Sequence, residues 1–310
     1  MSSKLPLILI VGPTAVGKTE LAIQLAERFA QRGEIISADS RLFYRGMDIG
    51  TAKPSREELA RVPHHLIDIV NPNETLSLAI FQEKAKQIIT DIHARGKLPF
   101  LVGGTGQYIR AVTEGWTPPE VTADERLRDE LQRMKDENSP EWLHAKLKIL
   151  DPIAAEKIDA RNIRRTIRAL EVILTTGRKF SEQRGQSESP YQLITIGLTR
   201  PRPELYQRVD ERIDLMFANG LVNEVKGLLE KGYSPTLPSM SAIGYRECVS
   251  VIKGLLTEEQ AKVEMRRVTR IFVRRQANWF KESDPNIMWF RVKDGVIEET
   301  EKFIRQLVDF

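Results

Sequence analysis

Apolar positions along this chain follow two alternating rhythms. Short apolar runs such as Leu5-Pro6-Leu7-Ile8-Leu9-Ile10-Val11 read as buried strands, whereas longer stretches repeat their apolar residues every three or four positions, as helices do. Candidate strands lie at 5–11, 34–37, 65–69, 98–102 and 192–198, with a further one at 287–292. Helical patterns at 18–30, 77–94 and 106–113 separate the first of them. Such alternation predicts an α/β fold, a parallel sheet wrapped by helices. From about 117 to 188 the rhythm changes, and 122–137, 140–149, 151–158 and 162–176 all read as helix. Trp116-Thr117-Pro118-Pro119 and Ser187-Glu188-Ser189-Pro190 punctuate the two ends of that stretch. The expected organisation is therefore a core of 1–116 and 189–310, interrupted by an all-helical insertion at 117–188. Beyond the returning strand, 203–231 and 257–281 read as long helices, with a loop from Ser234 to Ser239 between them.

Composition narrows the class without deciding it. The 310 residues are 41% hydrophobic and 29% charged, enough to bury a full core, and no apolar run approaches a membrane span of ~20 residues. Met-Ser-Ser-Lys leads straight into the first strand, so no signal peptide and no membrane partner are expected. The single cysteine, Cys248, excludes an internal disulfide framework and a cysteine zinc cluster, and a cytoplasmic setting is expected. The net charge of +4 is modest, but basic residues gather at Arg161, Arg164, Arg165 and Arg168, and again at Arg266, Arg267, Arg270, Arg274 and Arg275. One such cluster alone is most simply a solvated helix face. Two beside a phosphate-binding core point to a polyanion, nucleic acid first. Arg266, Arg270 and Arg274 share one helix face, assigned to either a nucleic-acid groove or an active-site channel, with Val268, Ile271, Phe272 and Trp279 expected on a packed face.

Candidate chemistry begins at Gly12-Pro13-Thr14-Ala15-Val16-Gly17-Lys18-Thr19, a G-x-x-x-x-G-K-[ST] phosphate loop between a predicted strand and a predicted helix. Backbone N–H groups and a helix N-terminus make an anion nest there, Lys18 adds a point charge, and the Thr19 hydroxyl is a ligand for Mg²⁺. A second segment, Asp39-Ser40-Arg41-Leu42-Phe43-Tyr44-Arg45-Gly46-Met47-Asp48-Ile49-Gly50-Thr51-Ala52-Lys53-Pro54, follows the next predicted strand. Loops at strand C-termini gather round the ligand crevice of an open α/β sheet, which places Asp39 near the phosphate loop. Asp39 is equally typical turn chemistry, and the glycine-flanked Asp48 reads as structural. Adjacent histidines on a strand point to opposite faces, so His64 and His65 are read as one packed and one surface residue, with no shared metal.

Together with Gly103-Gly104-Thr105-Gly106, these segments resemble the tRNA dimethylallyltransferases (tRNA isopentenyltransferases, the IPP transferase family). The resemblance runs nearly end to end, through Pro63-His64-His65-Leu66-Ile67-Asp68, Asn162-Ile163-Arg164-Arg165, Ala242-Ile243-Gly244-Tyr245-Arg246-Glu247 and Arg274-Arg275-Gln276 to Trp279-Phe280. Leu42 and Gln107 depart from residues common in the family. The resemblance implies a phosphate-loop NTPase-like core and transfer of a dimethylallyl group from dimethylallyl diphosphate to N6 of the adenosine 3′ of the anticodon, in tRNAs reading codons that begin with U. It implies catalytic roles for Lys18, Asp39, Thr105 and Arg212, with Asp39 accepting the N6 proton. It further implies contacts to the tRNA anticodon stem-loop from Asp39, Ser40, Arg41, Leu42, Thr105, Arg128, Arg164, Arg165, Thr166, Ile167, Arg168, Ser241, Ala242, Ile243, Gly244, Tyr245 and Arg246. A monomer that needs Mg²⁺ is expected. From the residues alone, Thr105 is also a helix-capping turn residue and Arg212 an exposed helix arginine. Three other readings stand beside this one: a prenyl transferase acting on free adenylate, a small-molecule kinase, and a non-catalytic nucleotide-dependent RNA-binding module.

Overall fold

The structure, a computed structural model, describes residues 4–29, 32–116, 119, 121, 124–183 and 188–308. The predicted helical positions 30, 122 and 123 and the boundary residues Thr117, Pro118 and Ser187 lie outside the described residues. Contacts divide the chain into two compact units, Met1–Thr113 with Ser189–Phe310, and Glu114–Glu188.

The first unit runs β1 (Pro6–Val11), α1 (Lys18–Arg28), β2 (Gly33–Ser37), α2 (Arg56–Arg61), β3 (His64–His65), α3 (Leu78–Ala94), β4 (Leu98–Val102) and α4 (Gly106–Thr113). The second unit supplies α5 (Glu125–Glu137), α6 (Pro140–Leu150), α7 (Pro152–Lys157) and α8 (Ile163–Thr176). The first unit then resumes with β5 (Gln192–Thr199), α9 (Arg202–Ala218), α10 (Leu221–Glu230), α11 (Tyr245–Ile252), α12 (Glu258–Gln276), β6 (Met288–Arg291) and α13 (Val296–Arg305).

The six strands form one sheet in the order β3-β2-β4-β1-β5-β6, and every pairing is parallel. A parallel sheet carries helices on both faces, so its strands are apolar on both. In β1, Ile8 and Ile10 enter one core cluster with residues of α1 and α9, while Leu7, Leu9 and Val11 enter another with residues of α3 and α4. Pro6 pairs with Gln192 and Ile8 with Phe100, so β1 lies at the centre with its C-terminal end leading into the phosphate loop.

Four expectations change. The strand expected at 65–69 is only His64–His65, because Leu66 and Asp68 adopt left-handed φ values of 61° and 55° that no ladder accommodates. The helix expected at 203–231 is two helices, broken where Gly220 takes φ 91°. The helix expected at 257–281 ends at Gln276, with its buried stripe at Ala261, Met265, Val273 and Gln276. Phe272, expected to pack, is 42% exposed. The sequence reading also overlooked α2, α11 and α13, whose short lengths give little room for a helical period to show.

The second unit packs on its own cluster, with Leu143, Leu147, Leu170 and Phe180 among the buried residues. At its centre Glu171 is fully buried and accepts hydrogen bonds from Arg128 Nε and Nη2 (2.8 and 2.9 Å), Arg168 Nη1 (2.7 Å) and the Asp124 amide (2.9 Å). Burial pushes the Glu171 carboxyl up, but the arginine and amide hydrogen bonds outweigh it and hold the group below its ordinary range.

Candidate active site

The phosphate loop leaves β1 through Gly12, whose φ of 142° and 2.6 Å clearance between a hypothetical Cβ and the Leu198 carbonyl both require glycine. Ala15 is left-handed at φ 63° and Gly17, at φ 112°, opens α1. Strain of this kind persists only where neighbours fix the backbone. Here Arg208 Nε donates to the Ala15 carbonyl (2.9 Å) and Arg200 Nε to the Val16 carbonyl (3.0 Å). A trans peptide points its C=O and N–H in opposite directions, so these arginines turn the Val16 and Gly17 amides the other way. Lys18 Nζ donates to the carbonyls of Gly12 (3.1 Å) and Pro13 (2.8 Å) of its own loop. Burial lowers the Lys18 ammonium to about 8; Asp39 partly offsets this and Arg212 adds to it.

These groups face a cavity of about 480 Å³. One side is polar, with Thr14, Lys18, Thr19, Asp39 and Arg212; another is apolar, with Ile35, Leu42, Ala52, Ile67 and Leu215. Asp39 follows β2 and Arg212 projects from α9, so an element distant in sequence supplies the second cation. Burial lowers Arg212, while Asp39 raises it and Arg208 lowers it. Arg212 Nη2 reaches the Thr51 carbonyl only at 3.5 Å, the outer limit of a hydrogen bond. Asp39 Oδ1 accepts the Arg41 amide at 2.9 Å, forming the turn the sequence allowed, and its carboxylate still lines the cavity.

Other candidates sit elsewhere. Thr105 opens the turn before α4; its carbonyl accepts the Tyr108 and Ile109 amides, its hydroxyl has no hydrogen-bond partner among the described residues, and it does not line the cavity. Asp48 is tied to Lys53, and its amide donates to Glu224, a structural arrangement. His64 and His65 are both half-buried, where the sequence predicted one of each kind; His64 Nδ1 bonds to the Val62 carbonyl and His65 Nε2 to Glu34.

The basic clusters divide sharply. In α8, Arg164 and Arg165 are exposed and make no ion pair among the described residues, whereas Thr166 and Ile167 are buried and Arg128 and Arg168 are bound to Glu171. In the first unit, Ser241 and Arg246 are exposed, while Ala242, Gly244 and Tyr245 are buried and the Tyr245 hydroxyl donates to Glu224. The face bearing Arg266 and Arg270 is neutralised from α9, by Asp214 at 2.6 Å and Asp210 at 2.5 Å; Arg274 is exposed. The sequence reading gave no role to Arg200, Arg208 and Gln276, which hold loop backbone.

A family model described as IPP transferase matches residues 42–283. The chain belongs to the IPP transferase family. A tRNA dimethylallyltransferase of Roseiflexus castenholzii is 51% identical over 306 residues, covering 98% of this chain and 99% of that protein. One of Thermomicrobium roseum is 45% identical over 314 residues, covering 100% and 94%. Among solved structures, the full-length tRNA isopentenylpyrophosphate transferase of Bacillus halodurans superposes with a TM-score of 0.72 at 45% identity, covering 98% of this chain and 96% of that one. A eukaryotic dimethylallyltransferase acting on tRNA gives 0.77 at 28% identity, covering 98% and 78%. The all-parallel sheet with its flanking helices is the IPP transferase α/β fold.

Proposed function

We propose that this member of the IPP transferase family transfers a dimethylallyl group from dimethylallyl diphosphate to N6 of an adenosine in tRNA, the one 3′ of the anticodon, in tRNAs reading codons that begin with U. The observation that carries the reading is a single cavity in which Lys18, Arg212 and Asp39 face an apolar wall. Diphosphate suits the two cations and the loop amides. A five-carbon tail suits Ile35, Leu42, Ile67 and Leu215.

In the reaction, the C1–O bond of the donor breaks and its electron pair leaves with diphosphate. The N6–C1 bond forms, and a proton passes from N6 to the Asp39 carboxylate. Lys18 and Arg212 stabilise the charge that develops on the leaving oxygens, and the buried setting strengthens that interaction. Thr105 is the proposed donor to the oxygen at the breaking bond.

Among the described residues, no cluster of three or more His, Cys, Asp or Glu side chains forms a metal cage. The Thr19 hydroxyl beside a diphosphate suits Mg²⁺, which takes few protein ligands and completes its shell with phosphate oxygens and water. Bound there, it supplies further charge neutralisation to the leaving group.

The adenine must leave its stack to react, which costs less in a single-stranded loop. Arg164 and Arg165 are the proposed contacts of the helical unit to the anticodon stem-loop. Replacing both with glutamine is expected to weaken RNA binding and to flatten the slope of log affinity against log salt by about one to two. Filter binding at several salt concentrations checks this; an unchanged slope places the two arginines off the RNA.

Incubation with dimethylallyl diphosphate, Mg²⁺ and unmodified anticodon stem-loop RNA, followed by nucleoside mass spectrometry, tests the activity itself. One dimethylallyl increment on the RNA adenosine is expected. Prenylated AMP with untouched RNA would instead assign the chain to the free-adenylate class.

A further inference from the structure

We propose that Gln276 is a positioning residue, a carboxamide fork that holds the phosphate loop and the Gly103-Gly104-Thr105 turn in fixed relation. Gln276 ends α12, is 6% exposed and does not line the cavity. Its Oε1 accepts the Thr14 amide at 2.8 Å, and its Nε2 donates to the Gly104 carbonyl at 3.2 Å. Thr14 lines the cavity and Gly104 immediately precedes Thr105, so one side chain joins the two loops to which the reaction assigns the leaving group.

The surroundings are shaped around this side chain. A Cβ on Gly104 would lie 2.3 Å from Gln276 Nε2, so glycine there makes room for the amide. One turn on, Trp279 packs over Gly106, where a Cβ would meet the ring at 2.5 Å. Arg110 stacks on the same indole at 5.5 Å. The end of α12 is thus anchored twice on the turn that carries Thr105 and once on the phosphate loop.

The chemistry of the fork is restrictive. One group must accept from an N–H and donate to a C=O at the same time, which a carboxamide does and a carboxylate does not. A protonated carboxylic acid also does both. Glu at this position therefore behaves as a poor replacement when ionised and a good one when protonated. When ionised it repels the Gly104 carbonyl and adds a negative charge near the diphosphate.

This inference rests on the transferase reading, and its test separates the two. Wild type, Gln276→Glu and Gln276→Met are compared from about pH 6 to about pH 8.5, well below the melting temperature of each. The readouts are transfer to the anticodon stem-loop RNA and calorimetric binding of inorganic diphosphate with Mg²⁺. Burial and the facing Gly104 carbonyl disfavour the ionised form of a Glu there and raise its carboxyl. Relative to wild type at the same pH, Gln276→Glu should therefore be about tenfold slower at the alkaline end and should recover toward wild type at the acid end. Gln276→Met should show a pH-independent deficit of about tenfold in kcat, with KM for RNA unchanged. Diphosphate affinity should follow the same two patterns. A Gln276→Glu enzyme as active as wild type at the alkaline end, or full activity in Gln276→Met, overturns the fork. If wild type binds diphosphate but leaves RNA unmodified, the transferase reading fails, and the fork is decided by the pH dependence of diphosphate binding alone.

Discussion

Replacing Lys18 with alanine is expected to lower kcat/KM for dimethylallyl diphosphate by about a thousandfold. The side chain is folded back onto the Gly12 and Pro13 carbonyls, at 3.1 and 2.8 Å, and lies beside Asp39 and Arg212. Those carbonyls hold the ammonium in a buried place that only an arriving anion fully justifies. Its removal takes away the cation closest to the phosphate loop, so developing charge on the leaving oxygens loses a compact, buried ammonium partner. Arg208 also lines the cavity, with its Nε engaged by the Ala15 carbonyl. Lys18→Arg keeps the charge but not the compact ammonium, and should recover only part of the loss. Steady-state kinetics with labelled donor measure both; a Lys18→Ala enzyme within threefold of wild type would remove the residue from leaving-group stabilisation.

Asp39→Asn should reduce kcat by about a hundredfold or more while RNA affinity stays within a few-fold. The two roles of Asp39 are separable by the choice of substituent. An asparagine oxygen keeps the 2.9 Å bond to the Arg41 amide, so the turn survives while the proton acceptor is lost. Alanine removes both. Equal deficits in Asp39→Asn and Asp39→Ala therefore locate the effect in chemistry. A nearly active Asp39→Asn beside a crippled Asp39→Ala would make the residue a turn former and nothing more.

What the sequence made legible is what depends on short-range pattern. The phosphate loop, the central strands and the helices of the insertion each announce themselves within a window of ten or twenty residues, and all occur where the periodicity places them, to within three residues at their ends. The contributions of α9 and α12 were less legible for a physical reason. Arg200 and Arg208 act on the backbone of Val16 and Ala15, and Gln276 on that of Thr14 and Gly104; a carbonyl or amide partner leaves no trace in residue identity. Charge pairing is hidden from the sequence in a related way. Arg128 and Arg168 are held by the buried Glu171 between them, and Arg266 and Arg270 by Asp214 and Asp210, which the spacing of basic residues alone does not reveal. Which arginines are paired and which, like Arg165, are not is a property of the folded chain.

The position of β1 at the middle of the sheet has a consequence for how this protein is made. One flank of β1 pairs with β4 and the other with β5, in a register that joins Pro6 to Gln192. A ribosome adds about 5–20 residues each second, so the first strand waits on the order of ten seconds before its second partner emerges. During that interval β1 presents an apolar, unpaired edge, the kind of surface that invites mispairing with other nascent chains. The helices of the insertion, whose contacts are local, collapse while the edge is still open. Chaperone dependence should accordingly concentrate in the window before residues 192–199 leave the exit tunnel.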